Sequence, residues 1–148
     1  MNPTRPTRDD GPVLDDADYE SLLDFRDGLR AFLRWSEDGA RAVGLTPAQH
    51  QLLLAIRGHR GPTSVTDVAE HLLLRHHSAV ELIDRAGQAG LIERVVDEHD
   101  HRVVRIELTD DGARRLGALS AEHLEELSRV GPRLAALWTR LPEHGHDD

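Results

Sequence analysis

A mainly α chain with one small two-stranded β hairpin set among its helices is the fold class this sequence predicts, and three observations carry it. Apolar residues recur at three- and four-residue steps over most of the chain. The period shortens to two in two brief segments, Ile92-Glu93-Arg94-Val95-Val96 and Val104-Arg105-Ile106-Glu107-Leu108. The helical stretches are divided by Gly, Pro and side chains suited to capping. The length of 148 residues suits one main core, and Leu, Val, Ile and Phe make up roughly a quarter of the chain, enough to bury one.

Taken in order, residues 1–17 and 142–148 are polar, with almost no periodicity, and read as flexible tails. Leu22, Phe25, Leu29, Phe32 and Leu33 mark a long N-terminal helix ending near Gly44. Thr46-Pro47-Ala48-Gln49 is a helix start: Thr46 caps free N–H groups, Pro47 suits the first position, and Gln49 reaches back as in a capping box. Gly58 and Gly61-Pro62 stop that helix. Ser64 with Asp67 opens a short one carrying Val65, Val68, Ala69 and Leu72. A further helix runs from Arg75 to Ala89 over Ala79, Val80 and Ile83, with Gly90 as a left-handed terminator. After the two strands and their polar tip, Asp97 to Arg102, Thr109 and Asp110 cap a helix striped by Leu116, Leu119, Leu124, Leu127 and Val130. Gly131-Pro132 is read as its end, with a last helix over Leu134, Leu137, Trp138 and Leu141. The order is that of a winged helix-turn-helix over residues 45–109, flanked by terminal helices at 18–44 and 110–141.

Composition closes several functional classes. There is no Cys, which removes disulfides, thiolate nucleophiles and Cys-ligated zinc, and all 18 cationic residues are Arg, which removes Lys Schiff bases and a phosphate-loop Lys. No G-x-G-x-x-G, H-E-x-x-H or G-x-S-x-G is present, so neither an enzyme nor a cofactor is expected. No apolar run approaches the ~20 residues of a membrane helix, and no leader-like stretch follows Met1, so a cytoplasmic protein without membrane contact is the expectation. The net charge of −9 argues against general polyanion binding but leaves room for a local Arg-bearing contact surface.

In a helix-turn-helix, a short helix braces a second one whose N-terminal face enters the major groove of double-stranded DNA. Here Ser64 to Leu72 is the brace, and the reading helix offers His76, His77, Ser78, Glu81 and Arg85. These side chains suit base edges or phosphates. The hairpin tip offers His101 and Arg102, the latter suited to a narrow minor groove.

Several fragments, in this order, resemble the MarR family of bacterial transcriptional regulators. They are Leu45-Thr46-Pro47-Ala48-Gln49, Val65 to Leu72 (VTDVAEHL), Leu82-Ile83-Asp84-Arg85 followed by Gly90-Leu91-Ile92-Glu93-Arg94, the D-x-x-D-x-R of Asp97, Asp100 and Arg102, and Leu108-Thr109-Asp110-Asp111-Gly112. The resemblance spans about residues 20–141. It implies a homodimer held by the terminal helices, a repressor of pseudo-palindromic DNA, Arg102 as the minor-groove residue, and Asp100 supporting the wing through an Arg. Two positions depart from the family pattern: His101 stands where an Arg is frequent and Glu81 where an Arg is common. The resemblance also implies a small-molecule pocket beside the dimer helices. Arg26, Arg34, Trp35 and His50 are its candidates by position, suited to a small aromatic or carboxylate effector.

Two other readings compete. One is a winged-helix protein-interaction adaptor that never touches DNA. The other is a His-based metal-responsive regulator, prompted by ten His and by the spacings His99-x-His101 and His144-x-His146. Both pairs lie in a tip or a tail and lack the four ligands of a structural zinc site, so no metal ligand is assigned.

Overall fold

A computed structural model describes residues 13–139. The expected C-terminal tail, with His144 and His146, lies outside them, as do residues 1–12. Seven elements follow one another: α1 Asp16–Ala42, α2 Pro47–Gly58, α3 Val65–Leu72, α4 His76–Gln88, β1 Ile92–Val96, β2 Val104–Leu108 and α5 Asp110–Thr139. This is a mostly helical chain with one two-stranded sheet.

Local chemistry explains the boundaries. α1 begins at Asp16, two residues before the boundary drawn from apolar periodicity, because Asp15 and Asp18 cap each other's backbone N–H. Thr46 with Gln49 and Ser64 with Asp67 do the same for α2 and α3. Gly90 holds φ +73 after α4, where a left-handed conformation turns the chain into β1. The strands are antiparallel, with Ile92 opposite Leu108 and Val96 opposite Val104. A bridge from Thr63 to Ile106 ties the start of α3 to β2.

The core lies where α2, α3, α4, the hairpin and the first half of α5 meet. Leu45, Leu52, Leu53, Val68, Ile83, Leu91 and Leu119 are fully buried there. Gly112 at the start of α5 packs directly on the Leu91 backbone.

One expectation is corrected. Gly131-Pro132 does not divide the last segment: α5 runs unbroken through Pro132 to Thr139. A proline inside a helix costs about 3 kcal/mol, since it removes one N–H and crowds the preceding turn. Packing on α1 offsets this. Leu134 and Leu137 lie over Gly28, and the Trp138 ring meets Phe25 edge-on with centroids 5.4 Å apart. Leu137 is buried, which alone is worth about 1.5–3 kcal/mol. The local sequence around Pro132 carries no trace of that distant partner.

Candidate nucleic-acid interface

α4 starts unlike its neighbours. Its N-cap, Arg75, makes no side-chain capping bond. The N–H groups of His76, His77 and Ser78 precede the first bond of the helix, from Ala79 N–H to Arg75 O at 3.0 Å. They are left open on the protein side, with the positive end of the helix dipole behind them. His76 and His77 are exposed and Ser78 is half-buried; Glu81 and Arg85 are exposed one turn apart. Among the described residues no ion pair forms on Arg85. The neighbouring Asp84 instead accepts from Arg94 Nη2 at 2.7 Å, which ties α4 to β1.

The hairpin tip is organised by two aspartates. Asp97 Oδ1 accepts the backbone N–H of His99 (2.8 Å) and of Asp100 (3.0 Å), while Oδ2 accepts Arg105 Nη1 at 3.3 Å. The His99 N–H first, then that of Asp100 and the Arg105 charge, hold the Asp97 carboxyl below its ordinary range. Asp100 accepts both the backbone N–H and the guanidinium of Arg102, at 3.1, 3.0 and 3.3 Å, and these bonds lower its own pKa. Arg102 is 91% exposed and His101 is exposed beside it. An ion pair this open is worth little, so a stronger anion can take the Arg102 fork from Asp100.

Residues 43–103, from the end of α1 to the tip of the hairpin, match the family model of the MarR family. Over that stretch the chain is similar to the MarR family of transcriptional regulators. A curated relative, the HTH-type transcriptional repressor MdtR of Bacillus subtilis, is 29% identical over 62% of this chain and 68% of its own. The chain therefore spans about two thirds of that relative. Solved structures share the fold. A MarR family protein from Bacillus stearothermophilus is 24% identical, with a TM-score of 0.66 over 80% of this chain and 82% of that one. The Staphylococcus aureus MepR–DNA complex is 20% identical, with a TM-score of 0.65 over 86% of this chain and 96% of that one.

The four positions chosen for an effector pocket do not come together. A cleft of about 570 Å³ lies between α1 and the distal half of α5, and Trp35 lines it with Phe32, Leu134 and Leu137. Arg26 and Arg34 are exposed and absent from its lining. The cleft takes positions 24, 27, 28, 31, 32 and 35, one helical stripe, and residues 26 and 34 fall off it. The cations that do line it are Arg129 and Arg133, from α5. His50 is buried, its ring 5.0 Å from that of His123, and His123 in turn meets Trp35 edge-on at 4.9 Å. Burial, then the nearby His123, lowers the pKa of His50 and keeps it neutral. His123 escaped the sequence reading, as did the Asp84–Arg94 and Asp97–Arg105 pairs. Their named partners lie 8 to 88 residues apart with no periodic signal. Among the described residues no helix is long and apolar enough to cross a membrane.

Proposed function

We propose that this protein is a MarR-type, sequence-specific repressor that binds pseudo-palindromic double-stranded DNA as a homodimer in the cytoplasm. The observation that carries the reading is the contrast at the helix starts. α1, α2, α3 and α5 are capped by side chains, whereas α4 opens on bare N–H groups beside His76, His77 and Ser78. Such an end favours a phosphate, and it leaves the first turn free to read a major groove. The Arg102 tip supplies a second contact in the adjacent minor groove, with His101 at its side. Glu81 and Arg85 sit further along the same face, where a base edge is within reach of each.

Dimerisation is supported by what the terminal helices leave uncovered. Tyr19, Leu22, Leu23 and Leu33 on α1 and Leu124 and Trp138 on α5 are exposed large apolar side chains, all on the two terminal helices. A second copy covers them and sets two α4 helices about one DNA turn, ~34 Å, apart. A small aromatic or carboxylate ligand in the cleft, stacked on Trp35 and paired with Arg133, alters that spacing and releases the DNA.

Fluorescence anisotropy with the protein's own upstream promoter and a random duplex tests the reading. Tight binding to the promoter alone is expected, with Arg102→Ala weakening it by about tenfold, in the range of a lost base or groove contact. Equal affinity for both duplexes, unchanged by Arg102→Ala, refutes it. No binding to any duplex at low salt, where phosphate contacts are strongest, leaves the protein-interaction adaptor.

A further inference from the structure

Apart from the DNA-facing surface, two elements bring a pair of imidazoles into direct contact. His59 closes α2 as its C-cap, and His71 lies in the last turn of α3, twelve residues on. His59 Nδ1 and His71 Nε2 are 2.9 Å apart, with the ring planes crossed at 80°. On the other edge of the same His59 ring, Nε2 lies 3.5 Å from Asp67 Oδ2. Asp67 stands four residues before His71 on α3, so both project from one helical face. The backbone N–H and hydroxyl of Ser64, then the nearby imidazoles, keep the Asp67 carboxyl ionised well into acid.

The geometry points to a divalent late first-row metal ion, nickel or zinc in character, held between His59 Nδ1 and His71 Nε2 with Asp67 as the carboxylate that orients His59. Three features support it. First, with metal–nitrogen bonds of about 2.05 Å, two nitrogens coordinated at a right angle stand about 2.9 Å apart, and at the tetrahedral angle about 3.3 Å. The observed separation of 2.9 Å already equals the first and is within about half an ångström of the second. Second, a histidine that binds metal with one nitrogen commonly donates its other N–H to a carboxylate, which fixes the tautomer, and Asp67 occupies that place. Third, neutral imidazoles suit nickel, copper and zinc, whereas calcium and magnesium take oxygen. The ion takes the place of the proton between the two rings, which transfers through water to His71 Nδ1, so that both ligands remain neutral imidazoles and His59 keeps its Nε2–H toward Asp67. Among the described residues no set of three His, Asp or Glu surrounds one point. The remaining coordination positions therefore belong to water, and binding is reversible. An ion so placed clamps the end of α2 to the brace helix α3, directly ahead of α4. The site does not depend on DNA binding.

The test uses the full chain and nickel alone. Calorimetric titration at neutral pH should show an equivalent lost in His71→Gln and in His59→Gln, and weakened about tenfold in Asp67→Asn. Nickel is paramagnetic, so in the unaltered chain the imidazole NMR signals of His59 and His71 should broaden before those of His99, His101 and the C-terminal pair. That readout needs no variant to fold. Uptake unchanged by both Gln substitutions, or broadening that begins at the other histidines, overturns the assignment and leaves the pair sharing only a proton.

Discussion

Gly112→Ala should be among the most damaging small substitutions in this protein, and the structure supplies the reason. A methyl group at residue 112 would lie 2.1 Å from the carbonyl oxygen of Leu91, 3.0 Å from its carbonyl carbon and 3.3 Å from its Cα. Carbon–oxygen contacts settle near ~3.3 Å, so the two backbones must part by about 1.2 Å. Neither side yields easily. The Leu91 carbonyl accepts Thr109 N–H at 3.1 Å, Leu91 N–H is held by Ala86 O at 3.0 Å, and the Leu91 side chain is fully buried. Breaking the Thr109 bond and stranding that carbonyl costs about 1–3 kcal/mol, and forcing the buried contact open about 1–3 kcal/mol more. The better helix propensity of Ala returns at most about 1 kcal/mol. The net loss centres near 3 kcal/mol, which for a chain of this size lowers the melting temperature by roughly 10 °C. Gly117→Ala is the matched control. It lies on the same helix with nothing within 4 Å of the added methyl, so it should stabilise by about 0.5–1 kcal/mol. Urea unfolding followed by far-ultraviolet circular dichroism, at one fixed protomer concentration, measures both. A Gly112→Ala protein within about 0.5 kcal/mol of the parent would show that the close approach of α5 to Leu91 is not a constraint.

Three further outcomes follow from individual contacts. Leu73 holds φ +54 in the turn between α3 and α4 and is 92% exposed, so Leu73→Gly removes left-handed strain of about 1–2 kcal/mol with no packing to lose. After the entropy of the added glycine, the melting temperature should still rise, and a fall would refute the strain. Because His50 is held neutral, the unfolded chain binds its proton near pH 6.5 while the folded chain does not, so stability rises with pH below that value. His50→Gln should flatten the slope of unfolding free energy in the range just below pH 6.5, and an unchanged slope would exclude His50 as its source. Asp97→Ala should speed amide exchange at His99 and Asp100, whose N–H groups it frees. In the parent the same protection should persist at neutral pH and fade only on acidification through the lowered Asp97 pKa; equal exchange in the two proteins would contradict that role.

Much of this molecule is legible in its sequence because its signals are local. Thr46 with Gln49, Ser64 with Asp67 and the left-handed Gly90 each act within three or four residues, and all three appear where their chemistry requires. The strands read from a period of two occupy the expected residues. Pro132 marks where local reading fails, since the continuity of α5 rests on Leu134, Leu137 and Trp138 meeting α1 about a hundred residues away. Which of the effector candidates line the cleft was hidden for the same reason. Their positions came from resemblance, whereas membership of the cleft is decided by which stripe of α1 faces α5. At the interface, exposure of His76, His77 and Arg102 was readable, but the Asp84–Arg94 and Asp97–Arg105 ties that set α4 against the hairpin were not.

The terminal helices and the winged module are joined at a small number of rigid points. Gly112 lies on Leu91, Arg115 Nη1 donates to Gly44 O at 3.2 Å, Gly39 packs under Leu119, and His123 bridges Ser36 on α1 and the ring of His50 on α2. Three of these join residues 36–50 to 115–123 of α5 and the fourth joins Gly112 to Leu91, whereas the cleft uses residues 24–35 and 126–137. A displacement in the cleft therefore does not reach the winged module directly. It must pass along α1 and α5, and Phe32 and Trp35 belong to both regions, lining the cleft and meeting the His123 ring edge-on. Because His123 Nδ1 also lies 2.7 Å from the Leu119 carbonyl, its ring is held from both sides and turns only with α5 itself. The path from the cleft to α2 thus runs through two aromatic contacts and the His123 ring, and a change at Trp35 acts on the module by shifting a helix, not by loosening a side chain.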